Sequence, residues 1–198
     1  MRLNTKETRL TVSVLTNVVE ELIPMKAMTR RELFSEEKIA ERVKELGKQI
    51  SKDYRDNPIL LVGILKGVFV FMADLARNIA CPCHVDFARI SSYGNNMTSS
   101  GDLEIIMDVS LPVEGRDVIL VDDIVDTGLT LHNYSEYLKS RNPNSLKIAA
   151  LIDKTSRREK FVELDYCGFK VEDGFIVGYG LDCCEEFRNL QGLYILED

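Results

Sequence analysis

This chain of 198 residues predicts an α/β fold built on a mostly parallel sheet that is flanked by helices. Two unbroken apolar runs, residues 59–65 and 118–121, are typical of strands that are buried on both faces. A glycine-bearing turn and a further stretch of helical character follow each run. Because strands that alternate with helices form parallel sheets, these observations favour one wound α/β domain.

The first helix is expected to begin at Ser35. A serine cap followed by Glu36 and Glu37 suits the positive end of a helix dipole. The helix should end before Pro58, because the residue that precedes a proline rarely stays helical. One face carries apolar residues at helical spacing, namely Ile39, Val43, Leu46 and Ile50.

The remaining elements follow from the same patterns. We expect helices at residues 68–79 and 128–140, and the second should end before Pro143. The strands that complete the sheet are predicted at residues 85–90, 147–152 and 175–177. Short C-terminal segments, including residues 193–196, are expected to form a small hood over one edge of the sheet.

Composition favours a single domain and argues against two classes of partner. A chain of 198 residues with 45% hydrophobic residues is long enough for one well-packed domain and short for two. The 25 basic and 32 acidic residues give a formal charge of -7, so we expect neither a nucleic-acid nor a membrane partner. The longest apolar runs are also too short to cross a bilayer.

The five cysteines favour a reducing compartment, because an odd number argues against a disulfide framework. We therefore expect a cytoplasmic protein. A zinc site is the alternative interpretation, with ligands from Cys81, Cys83, His84, Cys183 and Cys184. None of their spacings is typical of zinc ligands, so small buried apolar residues are the favoured interpretation.

Residues 1–30 do not fit the pattern of the rest of the chain. Residues 10–19 alternate too loosely for a strand and lack the apolar core and cleavage site of a signal peptide. We expect an N-terminal extension that is poorly ordered or docked as an accessory, or else a start codon assigned too early. The domain itself would then span residues 31–198.

Residues 118–130 (VILVDDIVDTGLT) carry most of the information about function. Asp122 and Asp123 follow a buried strand, at the edge where open α/β sheets bind ligands. At least one carboxylate should face the crevice, where it can accept sugar hydroxyls or contact a hydrated magnesium ion. Residues 126–130 then turn into a helix whose free N–H groups and dipole can hold a phosphate. The motif predicts a sugar-phosphate site.

This motif resembles the signature of the type I phosphoribosyltransferases, and the likeness extends from about residue 34 to the C-terminus. The further matching blocks are Leu65-Lys66-Gly67, Ser91-Ser92-Tyr93-Gly94, Asp153-Lys154, and residues 174–182 with Phe187-Arg188. Their order is similar to that of hypoxanthine or hypoxanthine-guanine phosphoribosyltransferases of purine salvage. The resemblance implies the type I phosphoribosyltransferase fold with a small hood, and a homodimer or homotetramer.

The resemblance also implies the reaction and its cofactor. A 5-phosphoribosyl group would pass from 5-phosphoribosyl 1-pyrophosphate (PRPP) to N9 of a 6-oxopurine, giving IMP or GMP and pyrophosphate. Magnesium would be held by Asp122, Asp123 and Asp182, and the Leu65–Lys66 peptide can be cis. PRPP would contact Lys66, Gly67, Asp122, Asp123, Asp126, Thr127, Gly128, Leu129, Thr130 and Arg188.

On the purine side, the resemblance assigns binding to four residues: Lys154 to O6, Phe175 by stacking, Ile176 through its backbone, and Asp182. Asp126 would act as general base or acid at N7. Ser92 and Tyr93 would belong to a lid that keeps water away from the ribosyl centre.

Plainer roles and other functions stay open. Asp126 is also a good helix cap, and Lys154 could be an ordinary solvated lysine. A phosphoribosyltransferase-like regulator of transcription or RNA is disfavoured by the charge of -7. An enzyme for xanthine or a pyrimidine is the other alternative. Two positions depart from the family pattern: Asp122 stands where many members carry glutamate, and Leu129 stands where some carry lysine. Neither change removes a functional group that the reaction requires.

Overall fold

The computed structural model describes residues 29–91 and 104–197. The predicted extension lies outside these residues except for Thr29 and Arg30, which belong to the first strand, and Ser92 and Tyr93 lie outside them too. In chain order the elements are β1 (Thr29–Phe34), α1 (Glu36–Tyr54), β2 (Ile59–Leu65), α2 (Phe69–Arg77), β3 (Cys83–Ser91), β4 (Glu104–Met107), β5 (Asp117–Val125), α3 (Leu129–Lys139), β6 (Ser145–Lys154), β7 (Tyr166–Val171), β8 (Phe175–Val177) and β9 (Leu193–Glu197).

Six strands form the central sheet in the order β4-β3-β2-β5-β6-β7. Neighbouring strands are parallel, except that β3 and β4 are antiparallel. Residues of α1 and α2 share one buried cluster with the sheet, and residues of α3 share another. The predicted α/β fold with a mostly parallel, helix-flanked sheet is therefore confirmed.

Helix α1 begins as its sequence predicts. The Ser35 hydroxyl accepts a hydrogen bond from the Lys38 backbone N–H at 3.4 Å, and the predicted apolar stripe is buried. None of the helices in the described part of the chain combines the length and the apolar character that a membrane span needs.

Strands β1, β9 and β8 form the hood, a separate antiparallel sheet. The hood includes residues 175–177, so their assignment to the central sheet was wrong. Three residues carry too little alternation to indicate which sheet they join. The edge strand of the central sheet is β7 instead. Its Gly168 interrupts the strand pattern in the sequence, and a side chain is disfavoured there because a Cβ would overlap the Leu151 carbonyl. Strands β1 and β4 were not predicted, and both leave most of their residues exposed.

The crevice at the carboxyl ends of β2 and β5 is the topological switch point of the sheet. Strand β5 runs on to Val125, beyond the end at Val121 that the sequence predicted. Its pairing with β2 ends at Gly63 and Val121, whereas its pairing with β6 continues past Asp122. The sheet therefore opens beside Asp122 and Asp123, at the kind of position where wound α/β sheets bind ligands.

Candidate active site

The two sides of the switch point meet at Gly67 and Asp123. A Cβ at Gly67 would overlap the Asp123 carboxylate, so glycine at this position leaves room for that carboxylate where it lies. The Leu65–Lys66 peptide that precedes Gly67 is cis, a state that the resemblance allowed. The turn after β2 and the acidic end of β5 thus form one continuous wall.

Asp122 and Asp123 form a buried carboxylate pair. Burial and the charge of Asp123 raise the pKa of Asp122 well above its usual range. Burial raises the pKa of Asp123 as well, although hydrogen bonds and the nearby Arg188 charge oppose that shift. Backbone N–H groups partly compensate, since Asp123 N donates to Asp122 Oδ1 at 3.1 Å and Ile124 N donates to Asp123 Oδ1 at 3.0 Å. Such a pair suits a bound cation or a sugar hydroxyl.

The predicted phosphate loop turns directly into α3. Gly128 adopts φ +81°, a left-handed conformation that suits glycine, and no side chain caps the helix at this residue. The Thr127 carbonyl accepts bonds from Glu159 N at 2.9 Å and Lys160 N at 3.0 Å, which tie the loop to the segment between β6 and β7.

A cavity of about 230 Å³ lies over this loop. Most of the residues predicted to contact PRPP line it, namely Lys66, Gly67, Asp122, Asp123, Asp126, Thr127, Gly128 and Thr130. Leu129 begins the helix, and its N–H donates to Thr127 Oγ1 at 3.4 Å. The uncapped helix start and the loop backbone give this cavity the character of a phosphate site.

A second cavity, of about 220 Å³, adjoins the first. All four residues predicted to bind the purine line it: Lys154, Phe175, Ile176 and Asp182. Asp123, Ile124 and Asp126 line both cavities. Phe175 is exposed, as a stacking surface must be, whereas Ile176 is buried.

Lys154 is buried and Asp126 is partly buried, and both line this second cavity without a direct hydrogen bond to each other. Lys154 Nζ lies 3.8 Å from Asp126 Oδ1 and 3.6 Å from Asp173 Oδ1. Asp126 Oδ1 is buried and has no hydrogen-bond partner among the described residues. A buried acceptor without a partner is costly, and a ligand that donates to it would remove that cost.

Arg188, Lys66 and Asp182 form a charged group with Glu185. Arg188 Nη2 lies 2.8 Å from Asp182 Oδ1 and 3.2 Å from Glu185 Oε2, while Nη1 donates to the Gly180 carbonyl at 2.8 Å. Lys66 Nζ lies 2.5 Å from Glu185 Oε1. Bonds from Lys66 and then Arg188 hold the pKa of Glu185 below its usual value. Glu185 therefore forms ion pairs with both of the cations that were predicted to bind pyrophosphate, and Arg188 also pairs with Asp182.

Sequence reasoning missed three charged residues of the site. Arg157 Nη1 lies 3.5 Å from Asp126 Oδ2, and Arg158 bonds the backbone of Asp126 at 3.1 Å. Glu185 is the third. The pair of arginines shortly after Lys154 was a weak signal, because arginines in a loop are usually solvated. The five cysteines are free, and the described residues contain no group of three His, Cys, Asp or Glu side chains that could hold a metal.

Comparison with known proteins identifies the family of the chain. Residues 29–183 match the phosphoribosyl transferase domain model. The chain is 44% identical over 173 residues to a hypoxanthine-guanine phosphoribosyltransferase of Bacillus subtilis, covering 87% of this chain and 96% of that protein. The chain belongs to the hypoxanthine-guanine phosphoribosyltransferase family. The enzyme class predicted from the resemblance, a phosphoribosyl transferase, is thereby confirmed.

Solved structures of this phosphoribosyltransferase family share the fold. The crystal structure of a hypoxanthine-guanine phosphoribosyltransferase from Bacillus anthracis, with a HEPES molecule in its active site, matches with a TM-score of 0.80 at 41% identity. That match covers 84% of this chain and 98% of the other. A Trypanosoma cruzi hypoxanthine phosphoribosyltransferase matches with a TM-score of 0.81 at 37% identity, over 86% and 93% of the two chains.

Proposed function

We propose that this phosphoribosyltransferase transfers the 5-phosphoribosyl group of PRPP to N9 of hypoxanthine and of guanine, releasing pyrophosphate. The observation that carries the proposal is the meeting of two cavities at Asp123, Ile124 and Asp126. One cavity has an uncapped helix start beneath it, and the other contains a buried lysine beside an exposed aromatic ring. Their characters match a sugar phosphate and a purine.

The phosphate loop would hold the 5′-phosphate of PRPP. Its backbone N–H groups at residues 127–130 would bind the phosphate oxygens, and the dipole of α3 would add to that attraction. The ribose would then extend toward Asp122 and Asp123, whose carboxylates can accept bonds from its hydroxyls. This arrangement would hold C1′ near the shared wall of the two cavities.

Bond formation would occur at that shared wall. As N9 bonds to C1′, the bond from C1′ to the pyrophosphate oxygen breaks, and its electron pair leaves with pyrophosphate. The purine must lose one proton, and Asp126 would accept it from N7 as general base. Asp126 Oδ1, which is buried and has no partner among the described residues, is the acceptor that this step requires.

Lys154 would select purines with an oxygen at position 6. Its ammonium can only donate hydrogen bonds, whereas adenine presents a donor at position 6. Burial increases the cost of that mismatch, because a buried group left unpaired loses its hydration without compensation. Phe175 would stack on the base, and the Ile176 backbone would contact its edge.

The leaving pyrophosphate would bind Lys66 and Arg188, whose charges stabilise it. The residues present also fit a magnesium ion, since Mg²⁺ is usually held by one or two carboxylates together with substrate phosphates. Asp122 and Asp123 are such carboxylates, and Asp182 lines the adjoining cavity. When bound there, Mg²⁺ would neutralise charge on the leaving group.

We further propose that the protein is a homodimer or homotetramer in the cytoplasm. Support for self-association comes from the Trypanosoma cruzi relative, whose C-terminal region has been studied for its role in that enzyme's oligomeric state. Residues 1–28 would be an extension outside the catalytic domain, since the family match begins at residue 29.

A steady-state assay tests the proposed function. PRPP and magnesium would be supplied with hypoxanthine, guanine, xanthine or adenine in separate reactions, and pyrophosphate release would be followed. We expect turnover of hypoxanthine and guanine, little of xanthine and none of adenine. Equal or better turnover of another base would move the specificity to that base. Absence of turnover, combined with salt-sensitive binding to nucleic acid, would favour a phosphoribosyltransferase-like regulator of transcription or RNA instead.

A further inference from the structure

Arg158 lies between β6 and β7, and its side chain reaches back to the ends of β5 and β6. Nη2 donates to the Val125 carbonyl at 2.9 Å and to the Lys154 carbonyl at 3.2 Å, while Nε donates to the Asp126 carbonyl at 3.1 Å. Nη2 also lies 2.5 Å from Asp153 Oδ1. The side chain is only 17% exposed, so these bonds are well shielded from water.

These contacts begin where the pairing of the two strands ends. The last paired residues of β5 and β6 are Val125 and Asp153, so the ladder stops just before Asp126 and Lys154. One guanidinium then bonds the carbonyls of both of these residues. A planar fork of donors is suited to such a bridge, because its geometry is fixed. Arg158 therefore continues the connection between the strands after the backbone ladder stops.

The separation of the Asp126 and Lys154 side chains needs such a connection. Their charged atoms lie 3.8 Å apart, which is too long for a hydrogen bond. Opposite charges this close attract each other, and the attraction is weakly screened on the side of the buried Lys154. Arg157 and Asp173, which lie near Asp126 and Lys154 respectively, are largely exposed and oppose that attraction only weakly. A 6-oxopurine presents N7 and O6 side by side on one edge. Direct pairing of the two side chains would close the gap that this edge must enter.

The same segment supports the phosphate loop. The residues after Arg158, Glu159 and Lys160, donate their N–H groups to the Thr127 carbonyl. Arg158 Cδ would lie 3.1 Å from a Cβ at Gly128, so its chain packs closely on the loop. The segment that Arg158 anchors therefore contributes Arg157 to the second cavity and contacts the loop that lines the first.

We infer that Arg158 is a positioning residue for the reaction, which holds Asp126 apart from Lys154 and in register with the phosphate loop. The inference rests on the proposed function. Arg158 itself would touch neither substrate, and its effect would pass through the backbone of the two residues that do.

Arg42 provides a matched control. Its guanidinium also bridges two carbonyls, donating to Gly168 at 2.8 Å and Cys167 at 2.7 Å, and it also contacts a carboxylate, Glu45, at 2.6 Å. These contacts join α1 to β7, away from both cavities. Loss of the guanidinium fork at Arg42 should therefore cost stability without changing the geometry of the site.

The test compares R158K with R42K in thermal unfolding and in steady-state kinetics. Lysine keeps the charge and most of the length but loses the planar fork. Since a displacement of about 1 Å can cost about 100-fold in rate, we expect kcat with hypoxanthine to fall by about 100-fold in R158K. We expect kcat in R42K to stay within about two-fold of wild type, with a similar loss of melting temperature in both.

A second variant separates positioning from general loosening. In R158A, added guanidinium ion at millimolar concentration should restore part of the lost kcat, whereas sodium ion at the same ionic strength should not. Kinetics of R158K that match R42K, or losses that follow the unfolded fraction alone, would overturn the inference. If the wild type is active and the variants behave in this way, only the inference about Arg158 is overturned. If the wild type turns over no purine, the proposed function is overturned and the inference with it.

Discussion

The proposed purine side and the proposed pyrophosphate side of the cleft each have a lysine, but the two lysines are held in different ways. Lys154 is 8% exposed, and its ammonium lies 3.6 Å or more from both carboxylates near it. Lys66 is 48% exposed, and its ammonium lies 2.5 Å from Glu185. The first lysine is buried and has no direct ion pair at hydrogen-bond distance, whereas the second is accessible and hydrogen-bonded to a carboxylate.

The difference indicates how each side receives its ligand. On the purine side the protein backbone, bridged by Arg158, holds an acceptor and a donor at a separation that suits a base edge. If the purine binds as proposed, that side is organised before it arrives. On the pyrophosphate side Glu185 pairs with Lys66 and, together with Asp182, with Arg188, and we expect the pyrophosphate to replace Glu185 there. That side would then exchange partners during each turnover.

The largest effect should come from the purine side. We expect D126N to lower kcat with hypoxanthine by about 10²–10⁴-fold, because the amide cannot accept the N7 proton. The control is D173N, which removes the other carboxylate near Lys154, one that is largely exposed. We expect D173N to change kcat by less than about three-fold. Steady-state rates at saturating PRPP measure both, and equal losses in the two variants would contradict the role of Asp126.

A smaller effect should appear in the stability of the metal-free protein. The folded-state pKa of Asp122 is raised by burial and by Asp123. A carboxyl with a raised pKa contributes stability that is fully present below its unfolded value of about 3.9 and is lost as the pH rises through the folded value. D122N removes the ionising carboxyl, and with it the loss of stability at high pH. We therefore expect D122N to melt about 2–4 °C above wild type at pH 8 and level with it near pH 4.

Asp86 is the control of opposite sign. Burial raises its pKa, but bonds from the N–H groups of Leu111, Phe87 and Ser110 and from the Ser110 hydroxyl lower it further than burial raises it. Its stabilising contribution is therefore present above the ordinary aspartate pKa and lost as the pH falls. We expect D86N to melt below wild type at pH 8. Differential scanning calorimetry in chelator measures both variants, and a D122N curve that lies below wild type at pH 8 would be inconsistent with a buried charged pair.

The smallest effect should come from the pyrophosphate side. E185Q weakens the internal competitor for Lys66 and Arg188, and exposed ion pairs contribute little, so we expect the KM for PRPP to fall by about two- to five-fold. E186Q is the control, since Glu186 is the next residue along the chain, is exposed and carries the same charge. Initial rates at several salt concentrations measure both. An unchanged or higher KM in E185Q would argue that Glu185 helps to bind PRPP and does not compete with it.

The parts of the fold that sequence could predict are those with long, one-sided patterns. The apolar run of β2 and the stripe of α1 have one plausible structural outcome each, and both were found where expected. Strand β7 was missed because Gly168 weakens its alternating pattern. Strand β8 was placed in the wrong sheet because a pattern of three residues is too short to indicate which strand it pairs with.

The site shows the same division. Carboxylates that follow a buried strand must emerge at a sheet edge, so Asp122, Asp123 and Asp126 could be predicted as members of one site. Arg158 could not, because it acts on backbone carbonyls, and any residue could supply these. Glu185 could not be predicted either, because Lys66, which pairs with it, lies far away in the sequence.

The most direct measurement is a crystal structure of the protein with magnesium, PRPP and a 6-oxopurine analogue whose position 9 cannot form the new bond. The predicted result has the purine edge between Asp126 and Lys154 with their backbones unmoved, and the pyrophosphate on Lys66 and Arg188 with Glu185 displaced. A structure in which Glu185 keeps both cations while Asp126 and Lys154 move apart to admit the purine would contradict the contrast between the two sides.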